Sequence, residues 1–321
     1  MSRRSSLSVV IDQAMELAIA PSWTRFGFEL RRRMYDWDAD ALPRLDGRVV
    51  VLTGFTSGIG RAAASMLGSL GATLHLVGRD PTRVASVGEE LRAENITFTT
   101  SIADLSNLDD VRRIAAEIIE QHPSIDVLIH NAGALARTFT TSTQGYETTV
   151  AAQVLGPFLL TSLLLEPLRS AGGRVLTMAS GGMYAERLSV ADLEMTEADY
   201  DGVRAYARAK RAQVELTREW TRRGDGTVSF HTMHPGWADT PGVVEALPTF
   251  HRITRPLLRD AAAGADTLVW LASAERSELG DSGGFWLDRR RRSISKVPWT
   301  DTPAGERYRL WNWCVERTGT A

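Results

Sequence analysis

The chain has 321 residues, 43% hydrophobic and 24% charged, which is an ordinary globular mixture and excludes a disordered or collagen-like polymer. Its 37 basic and 39 acidic side chains leave a net charge of -2, so nothing pulls the whole molecule toward nucleic acid or anionic membrane. The single cysteine, Cys314, excludes an internal disulfide and points to a reducing, cytoplasmic setting.

Residues 1–47 differ in character from the rest of the chain. Arg3 and Arg4 precede a helical pattern (Leu7, Val10, Ile11, Ala14, Met15, Ala18), but Asp12 and Glu16 make this a poor secretory leader. After Pro21 comes a mixture of aromatics and arginines, with Trp23, Phe26, Phe28, Arg31, Tyr35 and Trp37. Such a mixture suits a membrane-interface helix. Asp12, Glu16, Glu29, Asp36, Asp38 and Asp40 weigh against anionic lipid. The expectation is therefore a helical extension packed on the body of the chain or on a second copy of it, with peripheral membrane contact as the alternative.

Asp46-Gly47 is a turn signal, and beyond it short apolar runs alternate with helical patterns. Strands are expected at 49–52, 73–77, 96–102, 127–130, 174–178, 228–233 and 284–287. Helices are expected at 61–70, from Pro81 behind the cap residue Asp80, at 108–121, at 144–169 with a break near Pro157, at 204–223, at 261–274 and at 305–317. This alternation implies an α/β fold, a Rossmann-type doubly wound parallel sheet of about seven strands over residues 48–288. A tail and helix occupy 289–321. Arg289–Arg292 reads as a solvated edge and not a nucleic-acid patch, because the protein is net acidic. His231 and His234 lack the further ligands that a metal site needs.

The first strand runs into Thr53-Gly54-Phe55-Thr56-Ser57-Gly58-Ile59-Gly60 and then a helix. Glycines there let a pyrophosphate approach the backbone, and the helix N-terminus favours its charge. The second strand ends in Gly78-Arg79-Asp80. An arginine at that point suits the 2′-phosphate of NADP, whereas NAD would want a carboxylate. Asp80 is explained as a helix cap, so NADP is expected over NAD.

Tyr206-Ala207-Arg208-Ala209-Lys210 places an ammonium one helical turn from a phenol. Bringing a tyrosine from pKa ~10 to about 7 takes roughly 4 kcal/mol of preference for the phenolate. A neighbouring cation acts in that direction, so this phenol can serve as general acid or base. Lys210 and Lys296 are the only lysines in the chain, so this match is seldom met by accident. Tyr184 and Tyr200 have no lysine four residues on. Ser180 ends the fifth strand, where a hydroxyl can donate to a substrate oxygen; Ser189 is its rival.

The glycine spacing together with the Tyr-Lys pair resembles the short-chain dehydrogenase/reductase superfamily. Asp104-Leu105 stands where that family contacts adenine, and His130-Asn131-Ala132-Gly133 resembles its N-N-A-G, with His130 in the first Asn position. His234-Pro235-Gly236-Trp237 and Thr240 stand where the family holds the nicotinamide. The interval from Ser180 to Tyr206 is longer than is usual and is similar to the retinol dehydrogenase-like branch. The resemblance implies that Ser180 orients the substrate, Tyr206 transfers the proton, and Lys210 holds the cofactor ribose.

The family's fourth residue, an Asn in N-x-x-G, corresponds here to Gln153 in Gln153-Val154-Leu155-Gly156. Its amide sits on a longer stem, which leaves open whether it holds a relay water or displaces it. Two functions are compatible with these residues: an NADP(H)-dependent oxidoreductase, or a nucleotide-binding scaffold with little turnover. Trp237, Val243, Val244, Leu247, Phe250 and Ile253 give the segment 237–258 an apolar cast. That points to a lipophilic carbonyl or alcohol as substrate.

Overall fold

A computed structural model describes residues 6–18, 20–37, 42–246, 248–296 and 298–320. Arg3, Arg4, Asp38, Asp40 and Leu247 lie outside this set, as do the side chains of Leu7, Val243 and Phe250.

Three helices open the chain: α1 (Ser6–Leu17), α2 (Ala20–Trp23) and α3 (Arg25–Met34). Thr24 caps α3 by accepting from the Gly27 N–H. The alternating unit comes next: β1 (Val49–Thr53), α4 (Gly58–Ser69), β2 (Thr73–Gly78), α5 (Pro81–Ala93), β3 (Phe98–Ile102), α6 (Leu108–Gln121) and β4 (Val127–His130). The helical stretch after β4 has several parts: α7 (Thr148–Val150), a π turn (Ala151–Leu155), α8 (Gly156–Leu163) and α9 (Leu165–Ala171). β5 (Arg174–Met178), α10 (Gly202–Arg223) and β6 (Ser229–Met233) succeed it. The chain then passes through α11 (Pro241–Ala246), α12 (Pro248–Thr254), α13 (Ala261–Ser273), α14 (Arg276–Leu279), β7 (Gly284–Leu287), β8 (Arg290–Arg291) and α15 (Ala304–Thr318).

The strands form one sheet in the order β3-β2-β1-β4-β5-β6-β7-β8. All neighbours are parallel except β7 and β8. The strand order reverses between β1 and β4, and a ligand crevice opens at such a point beyond the strands' carboxyl ends. Apolar residues of α6, α8, α10 and α15 cover one face, among them Ile114, Phe158, Leu216 and Leu310. Those of α4, α5 and α13 cover the other, among them Leu67, Leu91 and Leu268. Cys314 is buried in α15, and burial pushes its thiol pKa up. Among the described residues no single helix is long and apolar enough to cross a membrane.

Three expectations need correction. The long helix does not break at Pro157; it bends by 58° at the junction around Leu164. Pro157 lies just past the π turn, where the Gly156 N–H bonds to the Ala151 carbonyl five residues back. In that widened geometry a residue without an N–H is tolerated. The third strand starts at Phe98 and not at 96.

Nor is Arg289–Arg292 a solvated run throughout: Arg291 is exposed on the edge strand, but the other three arginines are paired. Leu287 pairs with Arg290 across Asp288-Arg289, both at positive φ (54° and 52°), so a two-residue turn creates an eighth strand. Arg289 pairs with Asp266, and Arg290 and Arg292 pair with Asp12.

Four buried histidines bear on stability. Burial lowers His75 to about 4, and His130, His231 and His234 to about 3. Their folded values lie below the ~6.5 of an unfolded chain. The unfolded state therefore takes up protons first, and stability is lost as pH falls below about 6.5 toward the folded values. Each can cost up to about 1.4 kcal/mol per pH unit in that window. The melting temperature is expected to fall steeply between pH 7 and pH 5; a flat profile in a calorimetric series would contradict this.

Candidate active site

The loop after β1 is held by side chains that meet it from β4. Thr53 Oγ1 accepts from the N–H groups of Asn131 and Ala132, each at 3.2 Å. Asn131 Nδ2 donates to the carbonyls of Thr53 at 3.0 Å and Gly54 at 2.9 Å. Thr53 and Asn131 thus brace the loop from behind. A Cβ on Gly60 would lie 2.0 Å from the Gly54 carbonyl oxygen, so only glycine permits this close turn.

The helix the loop enters is left open at its start. Asp80, Asn107, Asp201 and Asp260 cap α5, α6, α10 and α13, whereas Ser57 makes no side-chain bond to α4. The first N–H groups of α4 stay available to an anion, and the helix dipole favours one there. This cradle fits a dinucleotide pyrophosphate, with Thr56, Ser57, Gly58 and Ile59 forming its rim. Thr240 Cγ2 lies 3.2 Å from where a Cβ on Gly58 would sit, so the start of the 237–258 segment borders the same cradle.

The catalytic candidates meet beyond β5. Ser180 directly precedes a 3-10 turn, and its Oγ accepts from Gly182 N–H at 3.3 Å. Tyr206 and Lys210 sit on α10, whose N-cap Asp201 accepts from two backbone N–H groups. Lys210 Nζ is 5.3 Å from the centroid of the Tyr206 ring. It donates to the Met178 carbonyl at 2.8 Å and to Gln213 Oε1 at 3.0 Å.

The acidification of Tyr206 expected from Lys210 meets an opposing effect in this geometry. Burial pushes the phenol up to about 12, with a Ser180 hydrogen bond acting against it. The ammonium meanwhile is turned to Met178 and Gln213, and burial lowers it to about 7. The rivals have other work. Ser189 bonds to Asp192, the Tyr184 hydroxyl donates to the Ser293 carbonyl, and the Tyr200 hydroxyl meets Thr149.

Gln153 lies in the π turn and is 1% exposed. Its Nε2 donates to the Ala134 carbonyl at 2.8 Å. Its Oε1 is buried and has no partner among the described residues. Around the point where a Cβ on Gly133 would sit, Gln153 Oε1 lies at 2.9 Å and Lys210 Nζ at 3.2 Å. The structure therefore brings Gln153, Gly133 and Lys210 together. His130 is buried, neutral and bonded to Thr161 at 2.8 Å.

At the far end of the crevice, Arg79 is exposed and reaches Asp104 at only 4.0 Å. Asp80 Oδ1 accepts from the N–H groups of Thr82 and Arg83. The cap reading of Asp80 is thus the geometry observed. Asp104 Oδ1 accepts from Ser106, and Leu105 is buried.

Sequence reasoning expected the N-terminal extension to pack on the body of the chain, which it does, but did not place α2 and α3 as a wall of the site. Trp23 packs edge-on against His234 with centroids 4.6 Å apart, and lies 6.0 Å from both Trp237 and Tyr184. A Cβ on Gly181, next to Ser180, would strike its ring at 2.4 Å. Trp237 N–H donates to the Trp23 carbonyl, and Arg259 N–H to the Trp237 carbonyl. Pro235 and Gly236 are clasped by the same arginine, whose guanidinium donates to the Pro235 carbonyl. Asp288 holds this assembly: it accepts from Arg31 at 2.6 Å and from Arg259 at 2.6 and 3.0 Å, with all three side chains buried. The two arginines keep the Asp288 carboxyl below its ordinary range despite its burial. The only sequence signal was the arginine-aromatic mixture itself, which does not say what it faces.

A strand-glycine-helix cradle beside a Ser, Tyr and Lys cluster defines a nucleotide-dependent dehydrogenase or reductase. The chain belongs to the short chain dehydrogenase family, whose model matches residues 48–249. It is an NAD(P)-dependent oxidoreductase of that family. It is 38% identical over 250 residues to Dehydrogenase/reductase SDR family member 12 of Homo sapiens, covering 77% of this chain and 78% of that protein. It is 33% identical over 282 residues to Retinol dehydrogenase 12 of Homo sapiens, covering 86% and 88%. A solved structure of an uncharacterized protein from Mycobacterium Paratuberculosis superposes with a TM-score of 0.72 at 27% identity, over 88% of this chain and 98% of that one.

Removing one partner of a buried charge pair leaves the other uncompensated, at ~3–5 kcal/mol. Arg31→Met is expected to destabilise the protein by about that amount in denaturant unfolding. A loss under about 1 kcal/mol, the worth of a surface pair, would show that the extension is not anchored through Asp288.

Proposed function

We propose that this protein uses NADP(H) to interconvert a lipophilic carbonyl compound and its alcohol, with Tyr206 as the proton carrier. The observation that carries this reading is the cluster beyond β5, in which the Ser180 hydroxyl acts on the Tyr206 phenol and the Lys210 ammonium stands beside the Tyr206 ring. The nicotinamide, when bound, supplies or accepts the hydride.

The residues of this chain do the rest. The Ser180 hydroxyl donates to the substrate oxygen and stabilises the charge that grows on it. A phenol held near 12 is protonated throughout the neutral range, so Tyr206 serves reduction as the acid. Lys210 favours the phenolate left behind, and oxidation runs the same proton back. The N–H groups of residues 56–60 would hold the pyrophosphate, Asp104 and Leu105 the adenine end, and Lys210 the ribose next to nicotinamide. Asn131, Ala132 and Gly133 with Pro235, Gly236, Trp237 and Thr240 would flank that ring.

Arg79 supports the choice of NADP. It ends β2 with its guanidinium exposed, while Asp80 is committed to capping α5. Exposed Val244, Ile253 and Leu257 in the segment after Trp237, with Trp23 and Tyr184 behind it, support a lipophilic substrate. One relative carries the name retinol dehydrogenase, which agrees in chemical class.

Tyr206→Phe is expected to lower kcat about 100- to 10,000-fold while NADPH binding is retained, read from NADPH absorbance with a panel of aldehydes and ketones. Activity within a few-fold of the parent would contradict the role of Tyr206. No activity in the parent on any member would favour the scaffold reading. Arg79→Ala is expected to raise KM for NADPH at least about tenfold more than KM for NADH, since a charge-assisted bond contributes roughly 1.5–3 kcal/mol. Equal changes would contradict the NADP preference.

A further inference from the structure

The helix beside Lys210 departs from α geometry. Across Ala151–Leu155 the turn is of the π type. A π turn displaces carbonyls from their usual donors four residues on. The residue four on from Gln153 is Pro157, which has no N–H, and it is Gln213 Nε2 that donates to the Gln153 carbonyl, at 2.6 Å. The other end of the same amide, Oε1, accepts from Lys210 Nζ at 3.0 Å. Gln213 lies three positions beyond Lys210 on α10, so the two share a helix face, and it is only 4% exposed.

This amide has one possible orientation. Turned over, it would set an NH2 against an ammonium, which has no acceptor to offer. A buried amide also costs free energy unless both ends are bonded, and here both are. If packing alone mattered at this position, an apolar side chain of similar size would serve.

We propose that Gln213 is a positioning residue for Lys210, its amide tying the ammonium beside Tyr206 to the Gln153 carbonyl in the π turn. The amide is neither acid nor base near neutrality, so Gln213 fixes the cation and carries no proton. The inference rests on the proposed function in taking Lys210 as part of the active site.

The contact predicts a direct readout. The titratable groups facing Lys210 are Tyr206 from its own helix and His130 from the end of β4; burial keeps His130 neutral, at about 3. The other contacts, Met178 from β5 and Gln213, are neutral. Burial lowers Lys210 to about 7, and an accepting oxygen acts the other way by favouring the charged form.

With two lysines in the chain, protein labelled with ε-13C lysine gives two ε-carbon signals. Lys296, whose ammonium is bound to Glu16 and lies over the Tyr184 ring, is the reference. In the full-length protein with no ligand added, Gln213→Leu is expected to move the Lys210 midpoint down by about one pH unit. Gln213→Glu, which puts a carboxylate on the same contact, is expected to move it up, with Lys296 unchanged in both. A Lys210 midpoint equal to that of the parent in both variants overturns the proposal. If Gln213→Leu does not fold, the sign for Gln213→Glu decides: upward supports the tie, and no shift overturns it. An active parent enzyme whose Lys210 ignores Gln213 defeats the positioning role alone. An inactive parent whose Lys210 responds to Gln213 defeats the functional reading and leaves the contact standing.

Discussion

An ammonium withdrawn from water costs several kcal/mol unless its protons meet acceptors. Lys210 is 2% exposed and meets that constraint with a strand-end carbonyl, Met178, and the amide oxygen of Gln213. Much of the nearby architecture is a consequence. β5 must end where its last carbonyl faces α10, and α10 must start early enough to bring Tyr206 and Lys210 over that end. On the helix after β4 the Gln153 carbonyl, four residues before Pro157 and so without an α-helical donor, takes the Gln213 amide. Neutral partners leave the cation's charge uncancelled, which is what a neighbouring phenol requires if it is to give up a proton.

A second constraint closes the site from the other side. Asp288 lies in a two-residue turn at positive φ and is fully buried, so its carboxylate needs strong partners. It takes one guanidinium from the segment before the sheet and one from the segment before α13. Arg259 also donates to the carbonyls of Trp23 and Pro235, so the same ion cluster that secures α3 sets the loop after β6. The extension is thereby part of the wall next to Ser180 and Trp237.

The sheet was legible because its strands are short, β-branched and bounded by turn residues. Leu108–Gln121, Val127–His130, Arg174–Met178 and Gly284–Leu287 were read with the boundaries observed. The Tyr-Lys pair was legible through helical spacing and the rarity of lysine. What was not legible depends on contacts distant in sequence. The π turn has no local signature, and Pro157 suggested a break where a wider turn absorbs it. The fate of the arginines at 289–292 was decided by Asp12 and Asp266, which no spacing connects to them. Helical spacing sets Gln213 one turn beyond Lys210 but does not show the Gln153 carbonyl at the other end of its amide. Helical spacing shows Lys210 beside Tyr206 but not the burial that acts on the phenol in the opposite direction.

The central claim is that a buried cation beside a phenol, at the mouth of a nucleotide cradle, serves hydride transfer. It is tested most directly by supplying NADPH deuterated at the transferable C4 position together with a lipophilic aldehyde or ketone and weighing the alcohol formed. The account predicts one deuterium on the former carbonyl carbon with the parent protein and no labelled alcohol with Lys210→Met. Alcohol without deuterium, or equal labelling by the variant, would contradict it.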